Sequence, residues 1–138
     1  MKNSSRRKSI STKGLVASAR RARLRAVAPH SKFKVGAALQ TRTGKVYGGC
    51  NIENASYGLT LCAERVAVFK AISEGERRFS RIAVVADTKE LTPPCGACRQ
   101  ILWEFCGDIE VVLANLKGQS RSMRLSTLLP EPFEDKFL

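Results

Sequence analysis

The chain has 138 residues, five cysteines and a formal net charge of +12, from 24 Lys and Arg against 12 Asp and Glu. That length allows one domain with a sizeable core, and no apolar run approaches a membrane span. No signal-peptide pattern opens the chain, and an odd cysteine count argues against a disulfide framework and for a reducing, cytoplasmic setting.

The charge is unevenly spread. Eleven Lys and Arg precede residue 35 with no acid among them, and the first acidic residue is Glu53. Beyond Lys34, thirteen basic residues meet twelve acidic ones, so the excess belongs to the N-terminal part. Residues 1–12 have almost nothing to bury and read as a disordered basic tail, leaving a domain over 13–138. A nucleic-acid arm or a short leader is the sharper reading of that tail, and a plain solvated terminus the commoner one.

In chain order, Leu15, Ala19, Ala22 and Ala26 form an apolar stripe at helical spacing, predicting a helix over residues 14–27 that Pro29 ends. Arg20, Arg21, Arg23 and Arg25 surround the stripe, either as a strip for RNA or, more commonly, as a solvated face. His30 is the sole histidine, so a histidine-based metal site or a Ser-His-Asp triad with a spare is excluded. Residues 35–40 and 45–51 read as a hairpin around Thr43-Gly44. Residues 82–86 and 109–114 are short β-branched runs, each following a helical run, at 62–74 and 95–105 respectively. Strand–helix–strand succession implies parallel crossovers after an antiparallel hairpin. Residues 121–125 add an edge strand, and Ser126 is the predicted cap of a short helix at 127–129.

Three thiols and one carboxylate stand at the two central helix starts. Cys62-Ala63-Glu64-Arg65 follows a loop, and Pro94-Cys95-Gly96-Ala97-Cys98-Arg99-Gln100 follows the breaker Thr92-Pro93. A helix start carries positive partial charge, which favours the thiolate that binds metal. Cys95 and Cys98 lie one turn apart on one face. A third thiolate, from Cys62, leaves the fourth tetrahedral position open, the arrangement of a catalytic zinc rather than a structural one. Glu64, on the same first turn as Cys62, is within reach of a metal-bound water without being a ligand. Cys50 and Cys106 read as small buried hydrophobes.

These stretches resemble the small, three-cysteine cytidine deaminases of the free-nucleoside type. The resemblance extends to Phe33-Lys34-Val35-Gly36-Ala37-Ala38-Leu39, to Gly49-Cys50-Asn51-Ile52-Glu53-Asn54-Ala55 and to Leu128-Leu129-Pro130, in family order over roughly residues 14–133. A lone CxxC would be weak; the ordered set is specific. The resemblance implies a three-layer α/β/α sandwich around a five-stranded mixed sheet and one Zn²⁺ per chain. It also implies hydrolytic deamination of cytidine and deoxycytidine in pyrimidine salvage, with Glu64 as general acid and base.

It further implies that Asn51 and Glu53 bind the ribose 3′-hydroxyl, that Phe33 packs on the nucleoside and that Ala63 offers backbone to the pyrimidine. Tyr57 and Phe133 match residues that reach a neighbouring subunit's site, which implies a homotetramer. Three thiolates leave the zinc site with one negative charge too many, and Arg65 is placed to offset it by donating to the ligand sulfurs. The chain departs from the family pattern at His30 (usually Tyr), Val66 (often Thr) and Pro93 (commonly Ser). His30 touches subunit packing by this reading, and the other two substrate fit.

Three rival readings remain. A deaminase of a cytosine-bearing nucleoside antibiotic such as blasticidin S shares the zinc stretches, and Asn51-Ile52-Glu53-Asn54 favours an ordinary nucleoside over it. A polynucleotide cytosine deaminase gains from the basic N-terminus and loses on the three-Cys site and the absence of an aromatic strand platform. A zinc-stapled binding module wants a fourth ligand, and none stands at suitable spacing.

Overall fold

The computed structural model describes residues 10–138; of the tail predicted over residues 1–12, residues 1–9 lie outside the described residues. The folded part nevertheless begins before residue 13. Ile10 packs against the core, and Ser11 caps the first helix, α1 (Thr12–Arg23), by accepting the Gly14 N–H at 3.0 Å. Arg81 reaches the same segment, donating to Thr12 Oγ1 at 3.1 Å and to the Ile10 carbonyl.

Helix α1 ends at Arg23, six residues before Pro29, so proline is not what stops it. Arg25 and Ala26 still donate back to the Ala22 and Arg23 carbonyls, at 3.0 Å each, and from Val27 on the backbone is claimed by tertiary pairing instead. The Val27 N–H donates to the Asn51 carbonyl at 3.0 Å, and the Glu53 N–H donates to the Val27 carbonyl at 2.8 Å. Those bonds draw residues 26–28 out of helical register.

Strands β1 (Val35–Thr41) and β2 (Val46–Cys50) form the expected hairpin, turning at Gly44 with φ 98°. Then come α2 (Ala63–Ser73), β3 (Phe79–Ala86), α3 (Gly96–Cys106), β4 (Glu110–Ala114), β5 (Ser120–Arg124) and the short α4 (Leu125–Leu128). The sheet order is β2-β1-β3-β4-β5, antiparallel except for the β3–β4 pair that α3 connects. This is the five-stranded mixed sheet expected from the sequence. Ser126 lies inside α4 rather than capping it; Asp108 caps the helix from outside, its Oδ1 accepting the Ser126 N–H at 2.7 Å.

Period-2 alternation divides the sheet between two cores. Ala38, Ala83, Val85 and Val112 face α1 through Leu15 and Ala19. Ala37, Leu39, Ile82, Val84, Val111 and Leu113 face the other layer, with Ala67, Val68 and Leu102 of α2 and α3. Two glycines set how closely the helices approach. A Cβ on Gly36 would stand 2.0 Å from the Ala19 carbonyl, and one on Gly49 2.4 Å from the Ala63 carbonyl. The backbone of α2's first turn thus lies directly on β2. Among the described residues no helix is long and apolar enough to cross a membrane.

Candidate active site

Cys62 and Cys95 are the N-cap residues of α2 and α3, both extended, and neither sulfur caps its own helix. Cys98 is buried on the first turn of α3. The loop before α2 is pinned by a two-bond bridge: Ile52 and Leu61 exchange N–H···O bonds at 2.9 Å each. Cys62 is thereby carried back beside the end of β2. Across the gap, Arg99 holds the start of α3, donating from Nε to the Pro94 carbonyl at 2.7 Å and from Nη1 to the Leu128 carbonyl at 2.8 Å.

The three sulfurs lie within 4.8 Å of one another, with Cys62 and Cys95 at 4.0 Å. Sulfurs bound tetrahedrally at about 2.3 Å from zinc stand roughly 3.8 Å apart, so the set fits that ion with little adjustment. No further His, Cys, Asp or Glu joins the cluster among the described residues, and a fourth position is left for solvent or substrate. Arg65 donates from Nη2 to Cys62 Sγ at 3.3 Å and to the Thr60 carbonyl at 3.4 Å, which puts a cation against one of the three sulfurs. Without metal, a hydrogen bond from Cys98, outweighing the cost of burial, and the Arg65 guanidinium bring the Cys62 thiol down to about 5. Cys98, the donor of that bond and itself buried, is held well above the usual thiol range.

A cavity of about 200 Å³ opens against the cluster, lined by Cys62, Cys95, Ala63, Glu64, Asn51 and Phe33, among others. Glu64 is only 4% exposed. Burial pushes its carboxyl up to about 7, with Cys62 adding to the rise against the pull of its own backbone N–H and Arg65. A carboxyl with that affinity can both take and return a proton near neutral pH.

The remaining predicted residues divide. Asn51 is buried and braces the cavity wall: its Oδ1 accepts the Val35 N–H at 2.9 Å and its Nδ2 donates to the Phe33 carbonyl at 2.7 Å. Its amide keeps one N–H and one lone pair for a ligand. Glu53 is not in the cavity wall. Its carboxylate gathers the loop over residues 29–33, accepting the His30 N–H at 2.9 Å, the Ser31 N–H at 3.1 Å and the Ser31 hydroxyl. Tyr57 and Phe133 stand outside the cavity, 69% and 57% exposed. Of the departures, Pro93 lines the cavity, whereas Val66 faces away from it into a different one.

Sequence reading gave no role to Thr60, Arg99 or Gln100. Thr60 lines the cavity and accepts both the Arg65 guanidinium and, at Oγ1, the Asn54 N–H at 3.0 Å. Gln100 brackets Phe133, donating to its carbonyl at 2.7 Å and accepting its N–H at 3.3 Å. The only signal was their place beside the thiol stretches: Gln100 and one arm of Arg99 find partners about 30 residues on, and Thr60's local bonds depend on the fold of its loop.

A family model for the cytidine and deoxycytidylate deaminase zinc-binding region matches residues 10–115. The chain belongs to that family. A cytidine deaminase from Halalkalibacterium halodurans is 56% identical over 120 residues, 86% of this chain and 91% of that protein. One from Sporosarcina psychrophila is 51% identical over 90% of this chain and 92% of its own length. Family membership extends to the architecture: a crystal structure of cytidine deaminase from Burkholderia pseudomallei superposes with a TM-score of 0.87 at 50% identity. It covers 90% of this chain and 100% of that one. A blasticidin-S deaminase from Bacillus cereus is 30% identical over 72% of the chain and 76% of its own length, so the antibiotic branch is the more distant of these relatives.

Proposed function

We propose that the protein hydrolyses cytidine and deoxycytidine to uridine and deoxyuridine, releasing ammonia. One observation carries this: three thiols at zinc-binding distances and a buried carboxyl near neutrality share the wall of one cavity. Zinc, when bound by Cys62, Cys95 and Cys98, supplies the Lewis acidity that yields a nucleophilic water at neutral pH.

The chain's own residues do the rest. Glu64 accepts a proton from the attacking water as its oxygen bonds to C4 of the pyrimidine, and delivers that proton to N3. A second proton from the same hydroxyl passes through Glu64 to the amino group, the C4–N bond breaks, and ammonia leaves. The carboxylate ends as it began, so one residue serves both transfers. Ala63 and Asn51 orient the nucleoside, Phe33 covers it, and Arg65 stabilises the thiolates. Glu53 reaches a ribose hydroxyl by exchanging it for the Ser31 hydroxyl. The exposure of Tyr57 and Phe133 supports their reaching a neighbouring subunit's cavity in a homotetramer. Pyrimidine salvage in the cytoplasm is the setting such an activity fits.

An ultraviolet assay of the purified protein with cytidine, deoxycytidine, blasticidin S and a cytosine-bearing oligonucleotide tests this, together with metal analysis. Turnover of the two nucleosides and one zinc per chain, with zinc lost in Cys95→Ala, is the expected result. An active preparation without zinc, or preference for the oligonucleotide, would overturn it.

A further inference from the structure

A second cavity, of about 330 Å³, lies between α1, the β2 edge and α2. Ala63 and Glu64 line the first cavity, whereas Val66 and Lys70 of the same helix line this one. Arg21, Arg25 and Lys70 ring it, with Val46, Val66 and Gly48 among its apolar and backbone walls, and no carboxylate lines it. None of the three cations joins an ion pair among the described residues. Arg21 donates only to the Ser18 hydroxyl, at 3.0 Å, and Lys70 to the Gly48 carbonyl, at 2.6 Å. Three cations around one concavity repel one another unless an anion enters.

Gly48 keeps that space open. A Cβ there would stand 3.3 Å from the Ala22 Cβ, so a side chain at this position would project between α1 and the strand. The volume is at the lower end of small-molecule sites, which run from about 300 Å³. The basic residues of α1 are also split between faces: Lys13 and Arg20 line a separate groove beside β4 and β5. A backbone-tracking nucleic-acid stripe needs continuity, and this arrangement breaks it.

We infer that this cavity binds a polyphosphate anion of the kind a nucleoside triphosphate carries. Arg21 and Arg25 present the planar donor forks that suit phosphate oxygens, and Lys70 adds a point charge. The site is independent of the deaminase reading, which rests on the other cavity.

The test is calorimetric titration of the zinc-loaded, full-length protein with tripolyphosphate and with CTP at physiological salt. Saturable binding, one per chain, is expected, weakened at least about tenfold in Arg21→Ala/Arg25→Ala, where two phosphate-facing forks are lost. The pair Lys13→Ala/Arg20→Ala should bind as the parent does, and deamination of cytidine should be unchanged in both. Gly48→Val, which fills the space without altering charge, should also abolish binding; if it fails to fold, the arginine pair decides. Tighter binding of CTP than of tripolyphosphate assigns the nucleoside to the Val46 and Val66 wall, and equal binding assigns the phosphates alone. Absence of saturation by millimolar tripolyphosphate would overturn the inference. So would equal weakening in the Lys13/Arg20 pair, or displacement by a single-stranded oligonucleotide at lower concentration.

Discussion

Glu64 is where burial becomes chemistry. A carboxyl in the first turn of a helix is favoured by the helix dipole, yet here removal from solvent dominates and raises its proton affinity. Glu64→Gln keeps the shape and removes the proposed base, so zinc and fold should persist while kcat falls by several orders of magnitude. Retention of about a tenth of the rate, a cost near 1.4 kcal/mol, would refute the general-base role. Glu53 shows the opposite shift. The Ser31 hydroxyl first, then the Ser31 and His30 N–H groups, hold its carboxyl below the usual range against a smaller opposing effect of burial. A carboxylate lowered by folding contributes stability above its unfolded pKa and loses it as pH falls through the folded value. The residue 29–33 loop should therefore loosen only on the acid side, below the ordinary carboxylate range. Ser31→Ala should move the Glu53 titration upward when followed by carboxyl-carbon NMR, and an unmoved midpoint would assign the shift elsewhere.

At the scale of elements, the site is a matter of how far α2 and α3 can descend onto the sheet. Gly49 lets the first turn of α2 touch β2, and Gly36 does the same for α1 on the other face. Adding a methyl at either position forces backbone apart, since the nearest atoms belong to helix backbone rather than to flexible side chains. Gly36→Ala and Gly49→Ala should each cost about 1–3 kcal/mol or more in thermal unfolding, as overpacked cores do. They should differ in function. Only Gly49→Ala displaces the turn bearing Ala63 and Glu64, so it alone should lower kcat/KM at temperatures where both variants remain folded. Equal activity losses in the two would mean that α2 placement is not set by this contact.

For the whole molecule, the basic N-terminus is separable from the nucleoside chemistry. Cytidine is uncharged, and every residue assigned to the cavity follows residue 32. Deleting residues 1–9 should leave kcat/KM for cytidine nearly unchanged. Any nucleic-acid affinity should fall with the deletion and weaken steeply with salt, as displaced counterions require. Extending the deletion through Thr12 should lower the melting temperature, because it removes the Ser11 cap and the Ile10 and Thr12 contacts to the core and Arg81. A cap alone is worth about 1 kcal/mol. If the shorter deletion abolished deamination while the protein stayed zinc-loaded, the tail would belong to the catalytic machinery.

What the sequence by itself determined was local. Helix starts at Cys62 and Cys95 are written in breakers and spacing. The hairpin at Gly44 is written in turn chemistry, and the strand cores in β-branched runs. From those followed the candidate ligand set of Cys62, Cys95 and Cys98, the carboxyl of Glu64 proposed as base, and, through resemblance, the five-stranded sandwich. Tertiary structure decided whatever depends on partners distant along the chain. The end of α1 was one such case, because the pairing of Val27 with residues 51–53 overrides a helical pattern that continues to Ala26. The cap of α4 was another, supplied by Asp108 from 18 residues away. So were the proton affinity of Glu64, which only burial raises, and the facing of Val66, which sits on α2 turned from the thiols. Periodicity records which side of a helix is apolar; which cavity that side meets depends on how the layers pack.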